Sequence, residues 1–187
     1  MRIEGDFYRD ETKLAMYATD ASAYREIPYA VSLPKNIEDL KEIISFANEN
    51  NLTLIPRGAG TSLAGQVVGN GIIVDFSKYF SSILEINKEE KWVRVQPGVV
   101  LDELNLKLAE DNLFFAPETS TSNRCVLGGM VGNNSSGLHS VIYGTTREHL
   151  ISLKAILSDG SEAEFRSLNK DEFQSKLNGN SLESDIY

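Results

Sequence analysis

The stretch Leu52–Gly65, LTLIPRGAGTSLAG, decides how the rest of the sequence is read. Leu52 to Ile55 is apolar apart from Thr53, and Pro56 closes the run, which is the pattern of a short buried strand. Arg57, Gly58, Ala59, Gly60, Thr61 and Ser62 follow. Glycine has no Cβ, so the backbone there can take positive φ and approach a ligand closely. Successive N–H groups in such a turn can face one hollow and hold an anion. Arg57 adds a fixed charge able to grip phosphate through two N–H groups. The hydroxyls of Thr61 and Ser62 are further donors. Pro56 to Ser62 therefore reads as a pyrophosphate cradle. A tight connection after a strand can have the same composition, so the loop alone names no ligand.

Two well-known phosphate loops are excluded. The G-x-G-x-x-G fingerprint fails because Gly65 comes five residues after Gly60. A P-loop requires Lys and then Ser or Thr after its last glycine, and here Gln66 and Val67 follow Gly65.

Upstream, Asn36 is a good helix N-cap, with Glu38 and Asp39 in the first turn. Ile37, Leu40, Ile43, Ile44 and Ala47 then recur at helical spacing, so an amphipathic helix is expected. A helix running into the Leu52 strand puts the cradle at that strand's carboxyl end, where α/β folds bind ligands. Residues 1–26 are polar and mixed and are expected to form an N-terminal arm. Tyr29–Leu33 is a short strand between Pro28 and Pro34. Downstream, strands are expected at Ile72–Asp75, Ile83–Ile86 and Trp92–Gln96, and a helix over Leu101–Asp111. Ile151–Leu157 and Ala163–Phe165, joined through Ser158-Asp159-Gly160, read as a hairpin. Asp171–Leu177 is a weak helix, and the residues after it are polar. The order defines a mixed α+β class.

The chain has 187 residues, 41% hydrophobic, enough for a substantial core. With 18 Lys plus Arg against 27 Asp plus Glu, its formal charge is −9. Such a surface repels nucleic acid and anionic membrane, so a phosphate-bearing ligand needs a local site. The N-terminus has no apolar signal core and no run is long enough to span a bilayer. The single cysteine, Cys125, points to a reducing, cytoplasmic compartment.

A second unusual stretch is Pro117–Gly137, PETSTSNRCVLGGMVGNNSSG. Its content suits neither an ordinary helix nor an ordinary strand. Val126, Leu127, Met130 and Val131, interleaved with the glycines, speak against a linker and for a backbone-rich binding surface. His139, His149 and Cys125 have no zinc-like spacing, so no metal is expected. No nucleophile–base pair or catalytic acid–base pair stands out.

These segments resemble the FAD-binding domain of the vanillyl-alcohol oxidase and p-cresol methylhydroxylase superfamily, also called the FAD-linked oxidases. The likeness is greatest to its branch of glycolate oxidases and D-lactate dehydrogenases. It is carried, in order, by PRGAGTSLAGQ (Pro56–Gln66), VQPGVVLDELN (Val95–Asn105), GGMVGNNSSG (Gly128–Gly137) and YGTTREHL (Tyr143–Leu150). The resemblance implies an α+β, PCMH-type FAD-binding fold of two mixed α/β lobes over 27–187, truncated at the C-terminus. Arg57 to Ser62, with Pro56, would wrap the FAD pyrophosphate. Pro117, Thr119 and Thr121 would line the ribityl chain and flavin ring. Gly128, Gly129, Asn133, Asn134, Ser135, Ser136 and Gly137 would close over them. Thr61 and Ser62 stand where some relatives carry a flavin-linked histidine, so noncovalent FAD is expected.

The implied activity is flavin-dependent oxidation of a 2-hydroxy acid such as D-lactate, glycolate or D-2-hydroxyglutarate. The substrate cap is missing after Tyr187, so the chain by itself is expected to be inactive. An electron-acceptor or iron–sulfur domain is the further partner implied. Alternatives are a non-redox nucleotide or sugar-phosphate module, or a flavin-dependent alkyl transferase of the same fold.

Overall fold

Strand content and helix capping explain how the first lobe assembles. The computed structural model describes all 187 residues. Strand β1 (Asp6–Tyr8) leads into helix α1 (Glu11–Tyr17), capped by the Asp10 carboxylate accepting from the Lys13 amide. Strand β2 (Ala30–Leu33) leads into helix α2 (Ile37–Glu49), where Asn36 Oδ1 accepts from the Asp39 amide at 2.8 Å. Strands β3 (Leu54–Arg57) and β4 (Ile72–Asp75) complete a sheet of order β1-β2-β4-β3. β2, β4 and β3 run parallel, and β1 joins β2 antiparallel.

Period-two alternation sends Ala30, Ile72 and Val74 towards Ile43 and Ala47 of α2. Val31, Leu33 and Ile73 go to the other face, against Tyr8, Leu14 and Tyr17. Both central strands are thus buried on both faces, as parallel strands require. Pro56 lies within β3 rather than stopping it. Because β3 is an edge strand, the missing N–H costs little.

The second lobe is built from the hairpin β5 (Ile83–Asn87) and β6 (Trp92–Val95), helix α3 (Leu101–Ala109) and helix α4 (Leu127–Asn133). Its core holds Val99, Leu101, Leu104, Leu108, Cys125, Leu127 and Met130. Helix α4 corrects the sequence reading, which expected no helix in this segment. Gly128, Gly129 and Gly132 each cost about 1 kcal/mol relative to alanine in a helix. Burial of Leu127 and Met130, each worth about 1.5–3 kcal/mol, outweighs that.

Short helix α5 (Ser140–Tyr143) and a 3₁₀ turn (Thr146–His149) follow. Hairpin β7 (Ser152–Ile156) and β8 (Glu162–Arg166) turns at Gly160, whose φ is +83°. It is tied to α2 by the Lys41–Glu162 ion pair at 2.6 Å and by Asn48 Nδ2 donating to Ser158 O at 3.0 Å. Helices α6 (Lys170–Leu177) and α7 (Leu182–Ile186) end the chain.

Asp39 fastens the N-terminus to this body. Its carboxylate accepts from the amides of Glu4, Gly5 and Lys35 at 2.8–2.9 Å. Burial pushes its pKa up, but these amides outweigh that and hold it below the usual value. A depressed folded pKa stabilises above the unfolded value and is lost as pH falls through the folded one. Asp39→Asn is expected to cost about 1.5–3 kcal/mol at neutral pH. The native chain should lose stability below about pH 4, with a shallower loss in the variant. Urea denaturation at several pH values measures both.

Candidate functional site: unpartnered amides where two lobes meet

The connection from β3 to β4 joins parallel neighbours without a helix. Its amides therefore lack the partners a helix would give them. The N–H groups of Gly58, Ala59, Gly60, Thr61, Ser62 and Leu63 donate to no group in the chain. Gly60 and Gly65 have φ of +67° and +74°, which turn the loop tightly. Arg57 uses one of its three nitrogens within the chain. Its guanidinium donates to the carbonyls of Tyr17 and Val67, both at 3.4 Å, and lies 5.2 Å from the Tyr17 ring centroid. Gly60 rests directly on it, since a Cβ there would crowd Nη2.

The second glycine segment faces this loop. A Cβ on Gly58 would overlap Val126 Cγ2, so the two lobes meet backbone against side chain with no room to spare. At the opposite end of the loop, Gln66 Nε2 donates to Asn133 Oδ1 at 3.2 Å. The glycines of α4 then divide by role. Gly128 packs on Pro97, and its amide donates to the Pro97 carbonyl at 2.8 Å. That contact ties VQPGVV to GGMVG. Gly129 and Gly132 leave open space: a Cβ at Gly129 would meet only Val126 in ordinary contact, and at Gly132 nothing. The Gly129 amide has no acceptor in the chain.

The remaining residues are set from below. Asn134 takes φ +47° as the α4 C-cap, and its Oδ1 accepts from the Arg147 amide at 2.9 Å. Thr146, buried, donates to Ser135 O at 2.6 Å. This is how YGTTREHL supports NNSSG. Gly137 abuts the Glu118 backbone, and Glu118 Oε1 lies 2.7 Å from His139 Nδ1. That contact from the His139 ring holds the Glu118 carboxyl below its usual pKa. Thr119 Oγ1 donates to Cys125 Sγ at 3.1 Å and lies 3.3 Å from Thr121 Oγ1. The amides of Glu118, Thr119, Ser120 and Thr121, and of Ser136, Gly137 and Leu138, also lack acceptors in the chain.

The first loop and the glycine helix that follows Val126 are thus brought together, and the 118–121 and 134–138 segments adjoin that helix. Sequence reasoning quoted Gln66, Pro97, Gly132 and Thr146 within its motifs and Val126 among the apolar residues, but gave none of them a place in the site. Gly132 carried the added signal of a glycine one turn from Gly129. A cavity of about 260 Å³ lined by Tyr24, Arg25, Glu26, Ala64, Gly65 and Val68 flanks the loop. Another of about 380 Å³ lies by Phe173 and Tyr187. Neither is lined by the free amides of Gly58 to Leu63. No cluster of His, Cys, Asp and Glu could hold a metal.

The parallel-sheet lobe, its helix-free amide loop and the glycine helix of the second lobe together define the fold class. Solved structures agree on the fold. 6-Hydroxy-D-nicotine oxidase from Arthrobacter nicotinovorans matches with a TM-score of 0.76 at 20% identity, over 88% of this chain and 36% of that one. p-Cresol methylhydroxylase with substrate bound matches at 0.75 and 17%, over 84% and 32%.

The family model described as a FAD binding domain matches residues 28–166. D-2-hydroxyglutarate dehydrogenase of Haemophilus influenzae is 43% identical over 170 residues, 89% of this chain but 17% of that protein. Glycolate oxidase subunit GlcD of Bacillus subtilis is 33% identical over 148 residues, 78% of this chain and 31% of that one. The chain thus spans well under half the length of these relatives. It belongs to the FAD-binding domain family with a PCMH-type fold, and its cofactor is FAD.

Gly58→Ala forces a Cβ into Val126 and is expected to destabilise the chain by about 1–3 kcal/mol. Adding Val126→Ala should recover part of that loss relative to the sum of the single changes. Chemical denaturation of the two single variants and the double variant gives the coupling.

Proposed function

We propose that this chain is the FAD-holding part of a dehydrogenase that oxidises a 2-hydroxy acid such as D-2-hydroxyglutarate, glycolate or D-lactate. The observation that carries the site assignment is the row of unpartnered amides from Gly58 to Leu63, together with the free amides of the 118–121 and 136–138 segments. Backbone N–H groups in a hollow bind an anion without needing a cation, which suits a chain of net charge −9. The pyrophosphate belongs on Gly58 to Ser62, with Pro56 and Arg57 shaping the entry. The open faces of Gly129 and Asn133 to Gly137 close over it. Pro117, Thr119 and Thr121 are placed along the ribityl chain and ring. No histidine occurs between Pro56 and Gln66, so the cofactor is held noncovalently.

When bound, FAD supplies the acceptor for the hydride leaving the hydroxyl-bearing carbon. The residues here contribute binding, orientation and exclusion of water from the pyrophosphate. The substrate class rests on likeness to the D-2-hydroxyglutarate dehydrogenases and glycolate oxidases. A reducing cytoplasm is proposed as the compartment, since the one cysteine is free and buried. No helix is long and apolar enough to cross a membrane.

Backbone amide NMR of the labelled chain titrated with FAD, and separately with ADP, tests the site. The expected result is large shifts at Gly58 to Leu63 and at Ser136 to Leu138. Shifts confined to other surfaces would remove these residues from the site. For the reaction, anaerobic addition of D-2-hydroxyglutarate, glycolate or D-lactate to the FAD-loaded natural protein should bleach the oxidised flavin absorption band. No bleaching by any hydroxy acid refutes the substrate class.

A further inference from the structure

The family match begins at residue 28, yet the cradle is held from beneath by residues that precede it. Tyr17, the last residue of α1, donates its hydroxyl to Asp75 Oδ2 at 2.7 Å. Asp75 is buried at the carboxyl end of β4, and its other oxygen accepts from the Ser77 amide at 2.7 Å. The Tyr17 ring carries the Arg57 guanidinium, the Tyr17 carbonyl accepts from Arg57 Nη1, and Gly60 sits on top of that guanidinium. Four residues are thereby stacked in order: Asp75, Tyr17, Arg57, Gly60. The same segment grips the loop at two more points. The Ala21 amide donates to the Gly60 carbonyl at 3.1 Å, and the Tyr24 ring lies against Gly65, where a Cβ would collide with it.

Each contact fixes part of the loop that carries the free amides. The Gly60 carbonyl accepts from the Ala21 amide, and in a trans peptide the Thr61 N–H of the same unit then points the opposite way. Arg57 Nη1 donates to Val67 O, which links the start of the loop to its later part, and to Tyr17 O, which lies outside the loop in α1. Burial and the bond to Asp75 both raise the Tyr17 pKa, so the phenol stays protonated and remains a donor throughout the working pH range.

We propose that Tyr17, acting through Asp75 and Arg57, is a positioning residue for the cofactor pyrophosphate. The segment ahead of the family-matched region is then part of the FAD site without touching FAD. This rests on the reading of Gly58 to Ser62 as the pyrophosphate cradle. Its consequence is selective: disturbing the stack should weaken ligands that carry a pyrophosphate and leave the bare flavin unaffected.

The test compares the full chain with Tyr17→Phe, which keeps the ring and removes the hydroxyl, and with Arg57→Lys, which keeps the charge and removes the fork. Affinities for FAD, ADP and riboflavin are measured by amide NMR titration, with thermal melting to confirm folding. FAD and ADP affinity should fall about 3- to 10-fold in both variants, with riboflavin affinity unchanged. Unchanged FAD affinity, or equal losses for FAD and riboflavin, overturns the proposal. Should Tyr17→Phe fail to fold, Arg57→Lys decides by the same criterion. If the unaltered chain takes up neither FAD nor ADP, the cradle reading fails and takes the brace with it. If it binds both and the variants match it, only the brace is lost.

Discussion

A backbone amide has to be bonded, whether to protein, water or ligand, and this structure is organised around a row of amides left free. β3 and β4 are parallel neighbours, so the chain must travel back along the sheet between them. Most parallel connections do this with a helix, which satisfies its own N–H groups. Here residues 58–71 make the return as a loop. The amides at its start then sit at the carboxyl end of β3, where only solvent or a bound group can satisfy them. The glycines, the positive φ values and the stack under Gly60 all follow from keeping that loop in one shape.

The second lobe makes a complementary arrangement with different means. Its glycine segment is helical because Leu127 and Met130 reach a core formed by α3 and the β5–β6 hairpin. The helix presents glycine on two of its sides for two reasons. Gly128 allows contact with Pro97, and Gly129 and Gly132 leave a bare surface. The free amides outnumber the charged groups around them. The one guanidinium in the first loop is engaged by carbonyls and a tyrosine ring. A site made of backbone dipoles can hold a dianionic group on an acidic protein without a lysine or arginine at its centre. It also discriminates by shape, since dipoles fixed in a loop recognise an anion only where their hollow fits.

The first loop meets the glycine helix through few contacts, among them Gly58 on Val126, and Gln66 with Asn133. The first is a packing contact that tolerates no extra atom. The second is an exposed pair of amide side chains, of the kind that opens and closes readily.

The sequence determined the elements with strong local signals. Asn36 and the Ile37–Ala47 stripe specified α2, apolar runs specified β4 and β6, and Asp159-Gly160 specified the last hairpin. Four motifs in order, each bearing glycine, identified the family, because close approach and tight turns are backbone demands that glycine meets best. Besides β1 and α1, which fold residues expected as an arm into the first lobe, two things could not be read from the chain. One was α4, whose local propensity is poor and whose helix depends on a core contributed by distant residues. The other was where Arg57 points. Its sequence position suggested a phosphate, and the fold adds Tyr17, forty residues earlier, whose ring lies against the guanidinium and whose carbonyl accepts from Nη1. Local pattern fixes which backbone conformations are cheap; side-chain direction is settled by what the fold brings alongside, and only the tertiary structure supplies that.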